Sequence, residues 1–451
     1  MKGRMMKKRL NFRQTVTVAS MLFGLFFGAG NLIFPIHMGQ LAGSNSAAAI
    51  IGFIATGVGL PLLGVAALAV SHSGGLLDMA GRVGKSYSKI FTCALYLTIG
   101  PLFAIPRCAT TSFTVGLEPM FSQNSAGIAL ALFSLAFFAL VLYFSLRPGK
   151  ILTYIGKVIN PVFLVFLAIL IVTAFIKPMG AVSAVVPDGD YASAPFLKGF
   201  LEGYNTVDAL AALAFGIIVV DVIKDLGVGE ADDIAFNAIK AGVFTCILMG
   251  LIYTCTTLVG AQTRGVFETS ANGGIALGQL AGYYFPGAGQ LLLAATVCLA
   301  CLKTAIGLIT SSATTFNLIF PELSYKKWAI IFCAFSFAIA NVGLTVLIQY
   351  SIPVLMLLYP LAMTLIFLNL FGRYFNYDRA VFVSVTAFTF AAAIFDFINN
   401  LPAALAASLH LDVLLSFAAR LLPFFNEGLG WVCPSLIGLV VGIIVMKVKK
   451  T

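Results

Sequence analysis

Gly24-Leu25-Phe26-Phe27-Gly28-Ala29-Gly30-Asn31-Leu32-Ile33-Phe34-Pro35 is an apolar stretch that weakens its own helix. Each Gly costs a helix roughly 1 kcal/mol relative to Ala. Pro35 offers no N–H to the carbonyl of Asn31, four residues earlier. Carbonyls and amides are thereby freed in the middle of an apolar run. At membrane depth such groups are tolerated only where protein or a water-filled cavity satisfies them. The plain alternative is that Gly24-x-x-x-Gly28 is a helix-packing motif. The functional reading is a discontinuous helix, whose freed carbonyls meet a cation and whose second half points its N-terminus at a carboxylate.

The rest of the chain supports a lipid setting. Of 451 residues, 60% are hydrophobic and only 10% charged, against about 25% charged in an average soluble domain. At about 20 residues per spanning helix, twelve spans fit the length. The basic excess follows topology. Six basic residues lie in 2–13 (Lys2, Arg4, Lys7, Lys8, Arg9, Arg13). Further clusters are Arg82, Lys85 and Lys89; Arg147, Lys150 and Lys157; Lys224 and Lys240; Lys326 and Lys327; Arg373 and Arg379; and Lys447, Lys449 and Lys450. These make 21 of the 27 basic residues, and all fall in every second gap between apolar runs. The other gaps hold only Lys177, Lys198, Arg264 and Arg420. This positive-inside pattern predicts two cytoplasmic termini and argues against a nucleic-acid partner. The basic, then apolar N-terminus imitates a secretory signal, but its Gly, Asn and Pro residues favour a retained first helix. The eight cysteines sit in apolar segments as small hydrophobes. Cys298-x-x-Cys301 lacks the further ligands a metal site needs.

Apolar runs place spans near 15–37, 46–70, 89–116, 126–145, 156–176 and 199–223, then 239–263, 288–317, 327–345, 349–371, 380–400 and 427–446. Segments 71–88 and 401–426 suit short surface helices, and 264–287 is long enough for a lid. The sixth span carries a second interruption, Gly203-Tyr204-Asn205-Thr206-Val207-Asp208. Asn, Thr and Asp compete for backbone hydrogen bonds there. Asp208 is an intramembrane carboxylate, hence a functional candidate unless it is a structural cap or half of a buried ion pair. Interruptions in spans one and six are five helices apart. That odd offset inverts the second copy, giving a 5+5 inverted repeat of 15–176 and 199–371 with two additional helices in 380–446. In the eighth span, Lys303, Gly307, Thr310 and Thr314 form one helical stripe. A mid-helix Lys costs about 2.5–3.5 kcal/mol to insert, which a packing seam would not require.

Three motifs resemble the branched-chain amino acid:cation symporter family of BrnQ type: Phe27 to Pro35, Ile99-Gly100-Pro101-Leu102-Phe103-Ala104-Ile105-Pro106-Arg107, and Gly203 to Gly216. The resemblance implies uptake of leucine, isoleucine and valine driven by protons or sodium, no other cofactor and no obligatory protein partner. It also implies a distant LeuT-like fold. In that fold Gly28, Ala29, Gly30 and Asn31 line the amino acid site. Asn205, Thr206 and Asp208 meet the ammonium, and Phe215 closes over the substrate. Phe103, Ile105 and Leu308 are candidate walls for the aliphatic side chain. The LeuT-type cation site falls near Gly24 and Phe27 of the first helix and Ala300, Lys303 and Thr304 of the eighth. Lys303 stands where a hydroxyl or small neutral residue is expected. A tethered ammonium there would replace sodium and favour proton coupling. If Gly307, Thr310 and Ser311 form the site instead, Lys303 pairs with Asp208.

Other classes fit less well. A membrane enzyme needs clustered catalytic groups, whereas His37, His72 and His410 are isolated near span ends. A channel needs charge rings or filter loops. A transporter of the same fold for alanine, threonine or an aromatic amino acid is the nearest rival. Arg107 either snorkels to the outer interface, pairs internally or gates. Glu202 and Asp396 carry the same ambiguity.

Overall fold

In the computed structural model, residues 9–147, 160–402, 405–406 and 411–449 are described. Lys2, Arg4, Lys7, Lys8, Lys150, Lys157, Lys450, His410 and the start of the run expected at 156–176 lie outside them. Every regular element among the described residues is helical. The first apolar run is split into α1 (Phe12–Phe26) and α2 (Ala29–Ala42). The second is α3 (Ser46–Ile54) and α4 (Leu60–Val70), joined by a π-helical turn at Ala55–Gly59. A short helix, α5 (Leu76–Gly81), precedes α6 (Lys85–Leu97) and α7 (Ala104–Gly116). The last two are separated by a kink at Gly100, whose φ/ψ of −91°/−124° is non-helical and is followed by Pro101. Next come α8 (Gln123–Ser145) and α9 (Asn160–Ile176).

The sixth run also divides, into α10 (Pro195–Glu202), a 3-10 turn at Gly203–Thr206, and α11 (Asp208–Asp225). Then follow α12 (Ala231–Thr263), α13 (Gly273–Tyr284), α14 (Ala288–Ile319), α15 (Tyr325–Ala340) and α16 (Leu344–Leu370). The chain ends with α17 (Arg379–Asn399), α18 (Asp412–Leu421) and α19 (Val432–Val448). Among the described residues, seven helical segments are long and apolar enough to cross a membrane. Of the broken runs, α1 and α10 fall short at 15 and 8 residues, and α11 carries Asp208, Asp221, Lys224 and Asp225 within its 18 residues, whereas α2 counts together with α3 and α4. Segment 264–287 is not an open lid: α13 caps itself on Asn272 and seats Gly273 against the Ile33 carbonyl of α2.

Packing is exchanged between the halves. α12 runs along both α1 and α2, while α3 and α4 run along α10 and α11, and α7 packs on α14. Each broken helix is thus splinted by the unbroken neighbour of the other. Apolar burial gives little drive between helices in lipid, so close backbone approach matters more. Gly39 abuts the Thr257 carbonyl and Gly260 abuts that of Ile36, closing α2 on α12. Gly52 and Gly199 do the same for α3 and α10. On the outside, Ile128, Leu132 and Leu135 of α8 and Val165, Ile169 and Val172 of α9 form exposed apolar stripes at helical spacing, the faces a lipid solvent requires.

The basic gaps gather at one end of the bundle. Leu10 N–H donates to Asn237 Oδ1 at 3.0 Å, Arg82 to Asn369 Oδ1 at 2.6 Å, and Arg379 to the Val83 carbonyl at 3.2 Å. His72 and Arg373 both approach Asp232. The opposite end is tied by Gln40 to Thr263, Asn45 to the Tyr191 carbonyl, and Asn272 to Thr345.

Candidate functional site

The two interruptions meet at the centre of the bundle. Phe27 and Gly28 take extended geometry (φ/ψ −72°/96° and −124°/−155°), ending α1 and starting α2. The Asn31 side chain stabilises the new N-terminus by accepting the Gly28 N–H on its Oδ1 at 2.8 Å. The α2 N-terminus then presents the positive end of its dipole to the centre. In the sixth run Val207 adopts left-handed geometry, φ 60°, between the 3-10 turn and α11. For a β-branched residue this is an outlier that costs of order 1–3 kcal/mol. Such strain persists only where the surroundings over-determine it, and Val207 lies between Thr206 and Asp208. The segments touch: a Cβ on Gly30 would stand 3.3 Å from the Asn205 carbonyl.

Asp208 is 1% exposed. Its Oδ2 accepts from Asn31 Nδ2 at 2.5 Å and from the Tyr253 hydroxyl at 3.0 Å, and Tyr253 also meets Asn31 Nδ2. One carboxylate therefore ties together α2, α11 and α12. Tyr253 escaped the sequence reading because a tyrosine in an apolar helix carries no spacing signal. Its neighbours Thr254, Thr256 and Thr257 were the only local hint of polarity.

Around this cluster lies a cavity of about 20 Å³, room for about one water. Gly28, Ala29, Gly30, Asn31, Thr206, Asp208, Phe215 and Leu308 line it, and so does Thr304, which the sequence placed at the cation site. Of the other walls proposed, Ile105 is buried and Phe103 half-buried, but neither lines the cavity. The lining from α7 is Ala104, Arg107 and Cys108 instead, because the kink at Gly100 rotates the face presented. Asn205 contributes its carbonyl to Gly30 while its side chain reaches outward to Glu202.

Arg107 does not snorkel. It is 3% exposed, with its guanidinium 5.1 Å above the Phe34 ring and Nη2 3.0 Å from the position a Gly30 Cβ would take. A guanidinium beside the α2 N-terminus gives this corner a positive potential, chemically suited to an anionic group. Asp396 is buried in α17, with no hydrogen-bond partner among the described residues, and lies outside the cavity.

The cation region assembles in part. Thr304 Oγ1 lies 3.4 Å from the Phe27 carbonyl and 3.4 Å from that of Ala300, bringing α1 and α14 together as expected. Gly24 and Ala300 are buried beside it. Ser311 hydrogen-bonds the Ala214 carbonyl at 3.2 Å and Gly307 packs toward Leu25 and Phe215, so those residues form a seam with α11. Thr314 is exposed. Lys303 is fully buried, its Nζ 5.6 Å from the Phe23 ring centroid and 5.3 Å from that of Phe163. It occupies the space between α1, α9 and α14 rather than pairing with Asp208. Desolvated cation–π contacts of this kind stabilise by about 2 kcal/mol.

A Cβ at Gly28 would lie 3.0 Å from both Thr304 Cγ2 and Oγ1. Gly28→Ala is therefore expected to lower uptake about tenfold, the effect of ~1.4 kcal/mol, by pushing the hydroxyl off the Phe27 carbonyl. In a Thr304→Ala background the same change should cost much less, since the colliding atoms are gone. Initial uptake rates of the four proteins in a double-mutant cycle measure this coupling, and additive losses would refute it.

The family model described as branched-chain amino acid transport protein matches residues 11–449. A branched-chain amino acid permease BrnQ from Lactobacillus delbrueckii subsp. lactis is 50% identical over 431 residues, covering 95% of this chain and 96% of that one. The BrnQ permease of Bacillus subtilis (strain 168) is 39% identical over 439 residues, 97% of this chain and 98% of its own. Among solved structures, Mhp1, a nucleobase-cation-symport-1 family transporter in a closed conformation with bromovinylhydantoin bound, aligns over 99% of this chain and 95% of its own. Its TM-score is 0.60 at 14% identity. At that identity the likeness carries the fold alone, a LeuT-like helical bundle. The family match over nearly the whole length goes further: this chain is a membrane protein that belongs to the branched-chain amino acid transport protein family.

Proposed function

We propose that this protein takes up leucine, isoleucine and valine across the cell membrane by cation symport, both of its termini being cytoplasmic. The observation that carries the proposal is the pair of helix breaks opposed across one small cavity. One side of that cavity offers a helix N-terminus with Arg107 for the substrate carboxylate. The other offers Asp208 and Thr206 for the ammonium. Ala104, Leu25, Phe215 and Leu308 supply apolar wall for a branched side chain. A cavity of about 20 Å³ is smaller than any amino acid, so binding requires these walls to part, as alternating access does. The bundle works without a catalytic step or organic cofactor; lipid surrounds its exposed apolar faces.

For the coupling ion we favour the proton. The Lys303 side chain fills the space between α1, α9 and α14, where its ammonium stands in for the sodium ion that α1 carbonyls would otherwise coordinate. The contact of Thr304 Oγ1 with the Phe27 carbonyl favours the second reading, sodium coupling through those oxygens. The two part in reconstituted vesicles at fixed pH. Native leucine uptake is expected to be unchanged by a sodium gradient and collapsed by a protonophore. Strong sodium dependence of the native protein would sink the proton assignment. Substrate range is read in the same vesicles: unlabelled leucine, isoleucine and valine should compete with labelled leucine, and preferential competition by alanine, threonine or phenylalanine would reassign the substrate.

A further inference from the structure

A second cavity, of about 300 Å³, opens between α10, α16, the end of α17 and the 426–428 loop. It sits one helical turn from the sixth-run break, on the side that the proposed orientation makes external. Its two faces differ in chemistry. Leu197, Leu201, Ile352, Leu355 and Met356 form an aliphatic wall. Gly428, at φ 69°, brings the loop onto that wall: a Cβ there would stand 2.9 Å from Leu201 and 3.2 Å from Met356. Facing it are the carboxylates of Glu202 and Glu427 and the amides of Asn399, Asn400 and Asn426. Lys198 closes one rim, 3.3 Å from Asp190.

The polar lining carries both signs of charge. Lys198 is already engaged by Asp190, whereas Glu202 and Glu427 bring four carboxylate oxygens. A ligand that complements such a lining carries both an ammonium and a carboxylate, and the aliphatic wall asks it for a short branched alkyl group. The volume, about 300 Å³, is large enough to admit a whole amino acid. We propose that this cavity is an outer binding site for the same zwitterionic, branched aliphatic amino acid. The ammonium lies toward Glu202 and Glu427, the carboxylate toward Lys198 and the Asn amides, and the side chain against Leu355 and Met356. Asn205 joins the two sites, its side chain on Glu202 and its carbonyl at Gly30.

The inference rests on the proposed substrate, and saturation binding of labelled leucine to purified full-length protein separates the two. Native protein is expected to bind two leucines per chain, Leu355→Trp one, and Gly30→Leu one. Glu427→Lys, at an exposed loop position, keeps both sites but weakens one about tenfold, the worth of a charge-assisted hydrogen bond. It serves if Leu355→Trp fails to fold. One leucine per native chain, lost in Gly30→Leu and indifferent to Leu355→Trp and Glu427→Lys, would overturn the outer site and leave the central one standing. One leucine lost in Leu355→Trp but kept in Gly30→Leu would support the outer site and overturn the central one. No leucine bound to folded native protein would overturn both.

Discussion

Asp208→Asn is expected to cut leucine uptake about a hundredfold while the protein still inserts and purifies. The carboxylate Oδ2 accepts from two buried donors, Asn31 Nδ2 and the Tyr253 hydroxyl. An asparagine has one oxygen. If its NH2 faces those donors, both are left unpaired inside the bundle, at about 1–3 kcal/mol each. If it flips, the donors are met but the negative charge proposed to receive the substrate ammonium is gone, with a charge-assisted bond of similar worth. Either way about 3 kcal/mol is lost, two factors of ten. Asp221→Asn is the control. It lies 63% exposed on the same helix, 3.8 Å from Lys224, and exposed pairs of that kind are worth 0–1 kcal/mol. Initial uptake rates normalised to protein in the membrane decide the matter. Near-native transport by Asp208→Asn would remove Asp208 from the site.

The second large effect is on assembly. Gly39→Leu is expected to abolish recovery of folded protein. A Cβ at Gly39 would overlap the Thr257 carbonyl oxygen and lie 2.8 Å from the Ala261 nitrogen, and Gly260 meets the Ile36 carbonyl just as closely from the other side. These obstacles are hydrogen-bonded helix backbone, which cannot rotate away as a side chain can. α2 and α12 must therefore separate along their length. Overpacking costs typically 1–3 kcal/mol and more where nothing can give, and helix packing is a main force holding a bundle together in lipid. Because α12 also braces α1, both halves of the broken first helix lose their splint. Size-exclusion profiles in mild detergent should show aggregate in place of the monodisperse peak. Gly127→Leu on α8, where nothing lies within 4 Å, should run as native.

Much of the bundle was legible beforehand, for a physical reason. Lipid requires long apolar runs and forbids unpaired backbone, so each departure from helix had to appear as Gly, Pro, Asn or Asp in the middle of a run. Gly28-Ala29-Gly30-Asn31 and Asn205-Thr206-Val207-Asp208 announced themselves that way, and both are breaks. The separation of α15 from α16 was the least marked boundary, and it turns on Gly343 at φ 89°. What failed was direction. Wall residues expected at Phe103 and Ile105 gave way to Ala104, Arg107 and Cys108 because the kink at Gly100 changes the helical phase. Segment 264–287 was marked by its length, and the structure adds that Gly273 lets α13 close on α2.

The opening stretch, Gly24 to Pro35, determined by itself that the first helix is interrupted, because backbone groups freed by Gly and Pro are local and covalent facts. It also identified Asn31 as a polar group at the break. Only the tertiary structure decided what Asn31 does there. Its oxygen holds Gly28 and its amide reaches Asp208 and Tyr253, residues 177 and 222 positions away. The same holds for the two cations. Sequence marked Arg107 and Lys303 as charges in apolar runs, but their angular positions on kinked or unbroken helices sent Arg107 to the cavity and Lys303 to Phe23 and Phe163. A residue's depth in the membrane follows from counting along the chain. Its facing depends on every helical distortion before it and on the neighbours that pack against it, and neither is written locally.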